Sequence, residues 1–263
     1  MAESDDQRSK RRRQRVLFDS VADLYDVCRA SYPTDIIESV VSMSGVHAGD
    51  PILEIGCGTG QLTRQLAAYR FAFTAIDLGP SMIQVARRHV NDVDVRFAVS
   101  SFEDFDAPDA SFDLIVSATA FHWIDPAVAW TKPVRLLRPA GWLAVLHTVE
   151  KYDEPFGSAL TQAWIKRSAD GGAWGDADRP TLTESMTSTG MFDAPFVRSH
   201  TERRALSAEQ VLNLEHTRAT SLSYDAATRA SFTEELKAML EDLDEVDTEQ
   251  LTSLTMTQLA SRS

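Results

Sequence analysis

Residues 51–63 read PILEIGCGTGQLT, an apolar run that passes through three closely spaced glycines into a more polar stretch. A short apolar run bounded by glycines is typical of a buried strand, and the residues after the glycines have helix-like spacing. A glycine-rich turn between a strand and a helix lets a ligand approach the backbone N–H groups that begin the helix. The stretch therefore predicts a strand, a turn and a helix that bind a nucleotide-like cofactor.

The same alternation continues along the chain. Apolar runs of strand length recur at 71–76, 93–99, 112–118, 142–149, 195–206 and 251–259. Stretches with helix-like spacing separate them, at 60–69, 80–91, 126–137, 155–170, 207–220 and 226–243. Apolar strands that alternate with helices are typical of a parallel sheet covered on both faces. We therefore predict an α/β fold: a Rossmann-like, doubly wound, mostly parallel seven-stranded sheet with a helical elaboration in the C-terminal half.

Composition and charge narrow the function classes. The chain has 263 residues, 43% of them hydrophobic, and two widely separated cysteines, which predicts neither a disulfide framework nor a metal site. No apolar run reaches membrane-spanning length and no signal peptide is recognisable, so we expect a cytoplasmic protein. The net charge of −13 argues against a nucleic-acid partner. Residues 1–15, with six basic and three acidic side chains, are expected to form a flexible basic tail.

The glycine turn itself distinguishes between cofactors. A dinucleotide fingerprint needs G-x-G-x-x-G, and after Gly56 and Gly58 the third glycine is replaced by Gln61. Glu54 lies just before the turn, and an acidic side chain at this position suits a cationic ligand better than a pyrophosphate. S-adenosylmethionine carries a sulfonium and an ammonium and no phosphate. We therefore expect its methionine end to lie along the turn, which includes Cys57, with Glu54 near the ammonium.

A second acid follows the second strand. Asp77 lies 17 residues after Gly60, where a carboxylate can accept hydrogen bonds from both ribose hydroxyls; the alternative is a helix-capping or turn aspartate. Leu78 and Met82 are candidates to sandwich the adenine, although Met82 at this spacing also suits core packing. Ser101, Phe102 and Glu103, at the end of the third strand, would lie beside the adenine edge.

At this point the chain resembles the class I S-adenosylmethionine-dependent methyltransferases, of the small-molecule group often called type 11. The matching segments are LEIGCGTGQLT, AIDLGPSMIQVA, SFDLIVSATAFHWID and VRLLRPAGWLAVL, in that order. They lie within residues 16–150. The resemblance implies S-adenosylmethionine as cofactor and a small-molecule methyl acceptor. One departure, Ala140-Gly141 in place of two glycines, affects the expected turn before the fifth strand.

The segment after the fourth strand would lie beside the transferred methyl group. Thr119 is a candidate for cofactor binding, and Phe121, His122 and Trp123 are candidates for substrate binding. His122 is also a candidate general base, because its pKa range suits proton transfer. The alternative is that His122 packs against the following helix. Methylation of a carboxylate or phenolate needs no base, only in-line approach and exclusion of water.

The resemblance also divides the chain. Residues 16–45 would form an N-terminal lid, 46–150 the cofactor-binding core, and 151–263 a substrate lid with the last strands. In the lid, Tyr25 would lie over the sulfonium or the substrate, and Arg29 would meet the methionine carboxylate. Either a monomer or a homodimer is compatible with the sequence.

The resulting hypothesis is in-line transfer of a methyl group from S-adenosylmethionine to a carboxylate or hydroxyl of a small molecule. Three alternatives stay open at this level. One is a non-catalytic cofactor-binding or partner-binding protein, because function does not follow from fold. The others are an RNA methyltransferase, disfavoured by the acidic charge, and an NAD-dependent oxidoreductase, disfavoured by Glu54 and Gln61.

Overall fold

The computed structural model describes residues 15–90, 94–167 and 181–260. Its centre is one seven-stranded sheet in the order β3-β2-β1-β4-β5-β7-β6. The strands are β1 (Pro51–Ile55), β2 (Ala72–Asp77), β3 (Val95–Val99), β4 (Phe112–Ala118), β5 (Leu137–Tyr152), β6 (Phe196–Ser207) and β7 (Glu245–Gln258). The first five strands pair in parallel, whereas β7 runs antiparallel to both β5 and β6. The predicted α/β, mostly parallel architecture is confirmed.

The central strands are buried on both faces, as their continuous apolar sequences predict. Ile52 and Leu114 belong to the core on one face of the sheet, whereas Leu53 and Ile115 belong to the core on the other. All four side chains have no solvent exposure. The chain leaves β1 towards β2 and β3 on one side and reaches β4 on the other, so the switch point lies between β1 and β4. Ligands of open α/β sheets bind at this point, outside the carboxyl ends of the strands.

Helices cover both faces and the carboxyl edge. Those of the first 150 residues are α1 (Ala22–Cys28), α2 (Thr34–Ser44), α3 (Gln61–Ala67), α4 (Pro80–His89), α5 (Pro126–Ala129) and α6 (Thr131–Leu136). Two 3₁₀ helices, Leu17–Val21 and Phe121–Trp123, complete this part. The helix predicted over 126–137 is divided at Trp130 into α5 and α6. Pro126 occupies the first turn of α5, and the Asp125 side chain caps it.

The C-terminal half contains the remaining helices. They are α7 (Phe156–Arg167), α8 (Leu182–Ser188), α9 (Ala208–His216), α10 (Ala219–Leu222) and α11 (Ala226–Leu240). The helix α8 lies in a stretch for which the sequence predicts no element. Its Thr181 and Glu184 form a reciprocal capping box, which is a signal that the sequence carries. The end of the helix predicted over 155–170 and residues 1–14 of the predicted basic tail lie outside the described residues.

Strands β5 and β7 are much longer than their apolar runs suggest. They stay paired from Trp142 and Gln258 to Tyr152 and Thr248. Because β4 ends at Ala118, opposite Leu146, the second half of β5 extends past the carboxyl edge of the parallel strands. The extension carries polar side chains, so its hydrophobic pattern is weak in the sequence. Within the described ranges, no helix has the length and apolar character needed to cross a membrane.

Candidate cofactor cavity and its surroundings

One cavity opens at the carboxyl ends of β1 to β4. The sequence-derived candidates that line it from the strand ends are Gly56, Gly58, Asp77, Ser101, Phe102 and Thr119. Those that line it from helices and loops are Tyr25, Leu78, Met82 and Trp123. The cavity therefore lies at the switch point that the sheet order defines, between β1 and β4.

The glycine turn has a shape that only glycine adopts easily. Gly56 has φ +70°, and a Cβ atom there would lie 2.4 Å from the Cβ of Ala120. Gly60 has φ +90°, and a Cβ there would lie 3.3 Å from the Cα of Ala86. Gly58 has φ +55° but has open space around it. The first of these glycines thus lets β1 approach the loop after β4, and Gly60 lets α3 approach α4.

Asp77 joins the glycine turn to the next loop. Its Oδ2 accepts a hydrogen bond from the Gly58 N–H (2.9 Å), and its Oδ1 accepts one from the Gly79 N–H (2.8 Å). Burial raises the pKa of this carboxyl above its usual value, and the two N–H donors oppose the shift. An ionised carboxylate has about four lone-pair positions, so both oxygens can still accept further hydrogen bonds. The geometry therefore supports ribose binding and a turn-bracing role together.

Glu54 and Cys57 lie beneath the turn, buried in the protein. Glu54 is 1% exposed, and its Oε2 accepts a hydrogen bond from the Thr63 hydroxyl (2.6 Å). Burial raises the pKa of Glu54 to about 8, so near neutral pH its carboxyl holds a proton. Burial likewise raises the pKa of the Cys57 thiol well above its usual range, which makes the thiol an inert one. The expected contact of Glu54 with a cofactor ammonium stays a prediction.

The side chains after β2 and β3 provide an apolar slot with one polar edge. Phe102 and Met82 are buried, and Leu78 is half-buried beside the cavity. The Ser101 hydroxyl is already engaged: it donates to Asp104 Oδ2 (2.6 Å) and accepts from the Asp104 N–H (3.0 Å). The apolar lining that Leu78, Met82 and Phe102 provide is compatible with an adenine ring.

The N-terminal segment contacts the loops around this slot through Asp19 and Arg15, and the sequence analysis predicted neither contact. Asp19 accepts hydrogen bonds from the N–H groups of Ser81 (2.7 Å) and Met82 (3.1 Å) at the start of α4. Arg15 donates to both oxygens of Glu103, at 2.9 and 2.8 Å. Ion pairing with Arg15 contributes to holding the pKa of Glu103 at about 2, against the opposing effect of burial. Asp19 is separated from its partners by more than 60 residues, so no local pattern predicts the contact.

Arg29 connects the N-terminal segment to the C-terminal half, and Tyr25 lies against it. Tyr25 lines the cavity, and the Arg29 guanidinium lies 5.1 Å from the centre of its ring. Arg29 is outside the cavity lining, and its Nη2 donates to the Thr217 carbonyl (3.0 Å). Its expected contact with a methionine carboxylate stays a prediction.

The ring-bearing side chains of the loop after β4 differ in burial and in their distance from the cavity. Phe121 is buried against Trp130, with ring centres 5.0 Å apart. Trp123 lines the cavity. His122 is exposed, and its ring lies 4.9 Å from Trp123 and 5.9 Å from His147. The roles expected for Phe121 and His122 in substrate binding therefore stay predictions, with Trp123 the best placed of the three to touch a bound molecule.

Thr119 has an unusual backbone and a defined partner. Its φ of +55° lies in the left-handed region, which is uncommon for a β-branched residue. Its hydroxyl lies 3.3 Å from the Tyr32 hydroxyl. The Tyr32 backbone is in turn held by two hydrogen bonds to the Gln65 side chain. Strained backbone of this kind is concentrated at ligand sites, where the surroundings hold it in place.

Comparison with known proteins gives a consistent picture. A family model described as a methyltransferase domain matches residues 53–145. A malonyl-[acyl-carrier protein] O-methyltransferase from Hahella chejuensis is 35% identical over 160 residues, which cover 59% of this chain and 54% of that protein. The chain thus spans about half the length of that relative. An uncharacterised methyltransferase from Mycobacterium bovis is 31% identical over 180 residues, which cover 67% of this chain and 68% of that protein.

Solved structures agree on the fold. A candidate type II methyltransferase from Anaeromyxobacter dehalogenans superposes with a TM-score of 0.61 at 19% sequence identity. The match covers 89% of this chain and 99% of that chain. At this identity the likeness shows the shared architecture alone.

Proposed function

The chain belongs to the class I S-adenosylmethionine-dependent methyltransferases, and from this premise we propose that it methylates an oxygen atom of a small-molecule acceptor. The observation that carries the proposal is a cavity that Gly56, Asp77, Ser101 and Thr119 line together from four neighbouring strand ends. The similar protein from Hahella chejuensis is named as an O-methyltransferase, which favours oxygen as the accepting atom.

The cavity residues fit S-adenosylmethionine in three parts. The free lone pairs of Asp77 suit the two ribose hydroxyls, and the slot beside Leu78, Met82 and Phe102 suits the adenine. The glycine turn offers its backbone to the methionine portion, with Arg29 as the cation expected to meet the carboxylate. Trp123 and Tyr25 present aromatic faces to the same space, and such faces attract a sulfonium by about 1 kcal/mol.

When bound, the cofactor supplies an electrophilic methyl group. The protein's own contribution is orientation and exclusion of water, for which Asp19 and Arg15 hold the N-terminal segment over the cavity. A carboxylate acceptor is already anionic at neutral pH and needs no base. A hydroxyl acceptor must lose a proton, and His122, whose ring lies 4.9 Å from that of the cavity-lining Trp123, is the candidate to accept it.

The proposal is tested by titrating the full chain with S-adenosylmethionine, S-adenosylhomocysteine and NAD in a calorimeter, followed by acceptor screens with labelled cofactor. We expect micromolar binding of the first two, no response to NAD, and label in a small organic molecule. Binding of NAD alone would refute the cofactor assignment. Cofactor binding without label in any acceptor would favour a non-catalytic protein, and label in RNA would favour an RNA methyltransferase.

A further inference from the structure

A second group of buried polar side chains lies in the C-terminal half, outside the cofactor cavity. We call it the C-terminal polar cluster; its members are Tyr152 of β5, Glu215 of α9, Arg218, Ser221 of α10 and Tyr224. Glu215 has no solvent exposure, and Ser221 is 1% exposed. Buried charged groups are uncommon unless they are paired, so the way in which this cluster is satisfied is informative.

Arg218 is held in one orientation by its neighbours. Its Nε donates to Glu215 Oε1 (2.6 Å), and the Tyr152 hydroxyl donates to the same oxygen (2.7 Å). The guanidinium also lies near two aromatic rings, 5.9 Å from the centre of Tyr152 and 5.5 Å from that of Trp164. An arginine fixed in this way presents its remaining N–H groups at a defined position, which lowers the entropic cost of binding a ligand there.

Several polar atoms of the cluster lack a partner. Arg218 Nη2, Glu215 Oε2, the Ser221 hydroxyl and the Tyr224 hydroxyl are buried and have no hydrogen-bond partner among the described residues. A buried polar atom without a hydrogen bond destabilises the folded protein. Three of these atoms, Arg218 Nη2 and the two hydroxyls, can donate, and a bound acceptor group would satisfy the three together, whereas Glu215 Oε2 is itself an acceptor.

The cluster is connected to the cofactor cavity by a short path. Thr217, which precedes Arg218, accepts the hydrogen bond from Arg29, and Arg29 lies over the ring of Tyr25 in the cavity wall. The helix α10 also packs against the 3₁₀ helix Leu17–Val21 of the lid. Tyr25 in the cavity wall and Arg218 in the cluster are therefore linked through Arg29 and Thr217.

We propose that the C-terminal polar cluster binds a carboxylate of the methyl acceptor, with Arg218 as its anchoring cation. The chemistry favours this class because a guanidinium matches a planar carboxylate in geometry and charge. The hydroxyls of Ser221 and Tyr224 can donate to its remaining lone pairs. The inference rests on the proposed function and makes it more specific: the acceptor carries an acidic group several bonds from the methylated atom.

The test uses the full chain loaded with S-adenosylhomocysteine and titrated with linear dicarboxylates from malonate to adipate, each compared with its monoamide. We expect at least one dicarboxylate to bind about tenfold or more tightly than its monoamide, and Arg218→Gln to remove about tenfold or more of that affinity. Arg203→Gln is the matched control, because Arg203 is exposed and pairs with Asp153. The affinity for S-adenosylhomocysteine should be the same in all variants.

Arg218→Gln leaves Glu215 without its cation, so folding is checked by circular dichroism. The double variant Glu215→Gln/Arg218→Gln removes both charges and should fold while still failing to bind the dicarboxylate. Equal binding of acid and amide, no dicarboxylate binding, or binding unaffected by Arg218→Gln would each overturn the carboxylate site. If Arg218→Gln transferred label to an acceptor without a carboxylate, the carboxylate site would be overturned, whereas the proposed methylation of a small molecule would be supported. Arg218-dependent binding without any label transfer would support the site while refuting the proposed function.

Discussion

Glu54 and Glu215 are equally buried but lie in regions that are stabilised in different ways. Beneath the cofactor cavity, Glu54 has the Thr63 hydroxyl as its partner, and burial raises its pKa to about 8. In the C-terminal polar cluster, Glu215 has the guanidinium of Arg218. Glu54 is thus held by a neutral hydrogen bond, whereas Glu215 is held by a charged partner.

The difference indicates how specificity is divided between the regions. Around the cofactor, the polar partners of Asp77 are backbone N–H groups of Gly58 and Gly79, which depend on the turn rather than on side-chain identity. In the C-terminal polar cluster the two hydrogen bonds to the Glu215 carboxylate come from the side chains of Tyr152 and Arg218. The arrangement of the cluster therefore depends on the identity of its side chains, whereas that of the Asp77 site depends on the backbone.

The two glutamates should respond in opposite directions to replacement by glutamine. The pKa of Glu54 is raised in the folded state, so folded protein retains its proton while unfolded protein loses it. The free energy of unfolding therefore falls between pH of about 4.5 and 8, by up to about 1.4 kcal/mol per pH unit from this group. Glu54→Gln removes that loss and should be the more stable protein at pH 8. Glu215→Gln leaves Arg218 without a counter-charge and should lose about 3–5 kcal/mol.

Denaturant unfolding at pH 5, 6.5 and 8 measures both variants. The gain from Glu54→Gln should grow with pH, whereas the loss from Glu215→Gln should persist throughout. If Glu54→Gln were destabilised at pH 8, Glu54 would have to be ionised and paired in the folded state.

The backbone shape of the glycine turn can be tested with two alanines. Gly56→Ala combines a left-handed φ with a Cβ 2.4 Å from Ala120, and should reduce the free energy of unfolding by about 2–5 kcal/mol. Gly58→Ala is the matched control: its φ is also positive but its surroundings are open, so the loss should be about 1–2 kcal/mol. Thermal and urea unfolding without cofactor give both values. Equal losses would mean that the contact with Ala120 relaxes without strain.

Replacing Asp77 by alanine tests the same region through its ligand. Asp77→Ala should weaken S-adenosylhomocysteine binding by about 2–4 kcal/mol, roughly 30- to 700-fold, because charge-assisted hydrogen bonds to the ligand are lost. Asp109→Ala, whose side chain is exposed beside Arg135, should bind normally. Calorimetry on both proteins makes the comparison. Unchanged affinity in Asp77→Ala would leave Asp77 with the turn-bracing role alone.

The two phenols of the C-terminal polar cluster form another matched pair. Tyr152→Phe removes a hydrogen bond to a buried carboxylate and should cost about 1.5–3 kcal/mol of stability. The Tyr224 hydroxyl has no partner among the described residues, so Tyr224→Phe should change stability by less than about 0.5 kcal/mol. Unfolding curves at pH 7 measure both. A large loss in Tyr224→Phe would indicate that its hydroxyl is already satisfied within the protein.

The cofactor region could be predicted much further from the sequence than the C-terminal region. The strand PILEI, its glycine turn and Asp77 are local patterns in the sequence. The order of apolar runs predicted the parallel sheet, and the structure confirms it. The contacts of Asp19 and the pairing of Tyr152 with Glu215 join residues about 60 apart, for which one sequence carries no signal. The extension of β5 and β7 was also missed, because its inward-facing side chains, among them Thr248 and Gln250, are polar.

Replacing His122 should have the smallest effect on stability, and it distinguishes methylation of a carboxylate from methylation of a hydroxyl. Its side chain is exposed and outside the cavity lining, so His122→Gln should change stability by less than about 0.5 kcal/mol and leave cofactor affinity unaltered. If the methylated group is a carboxylate, no proton is removed during attack, and the variant should mainly raise the KM for the acceptor. Steady-state kinetics with the identified acceptor, alongside a melting curve, measure both quantities. A stable variant with normal cofactor binding and a loss of roughly 10²–10⁴-fold in kcat would contradict this expectation and establish His122 as the general base of a hydroxyl methylation.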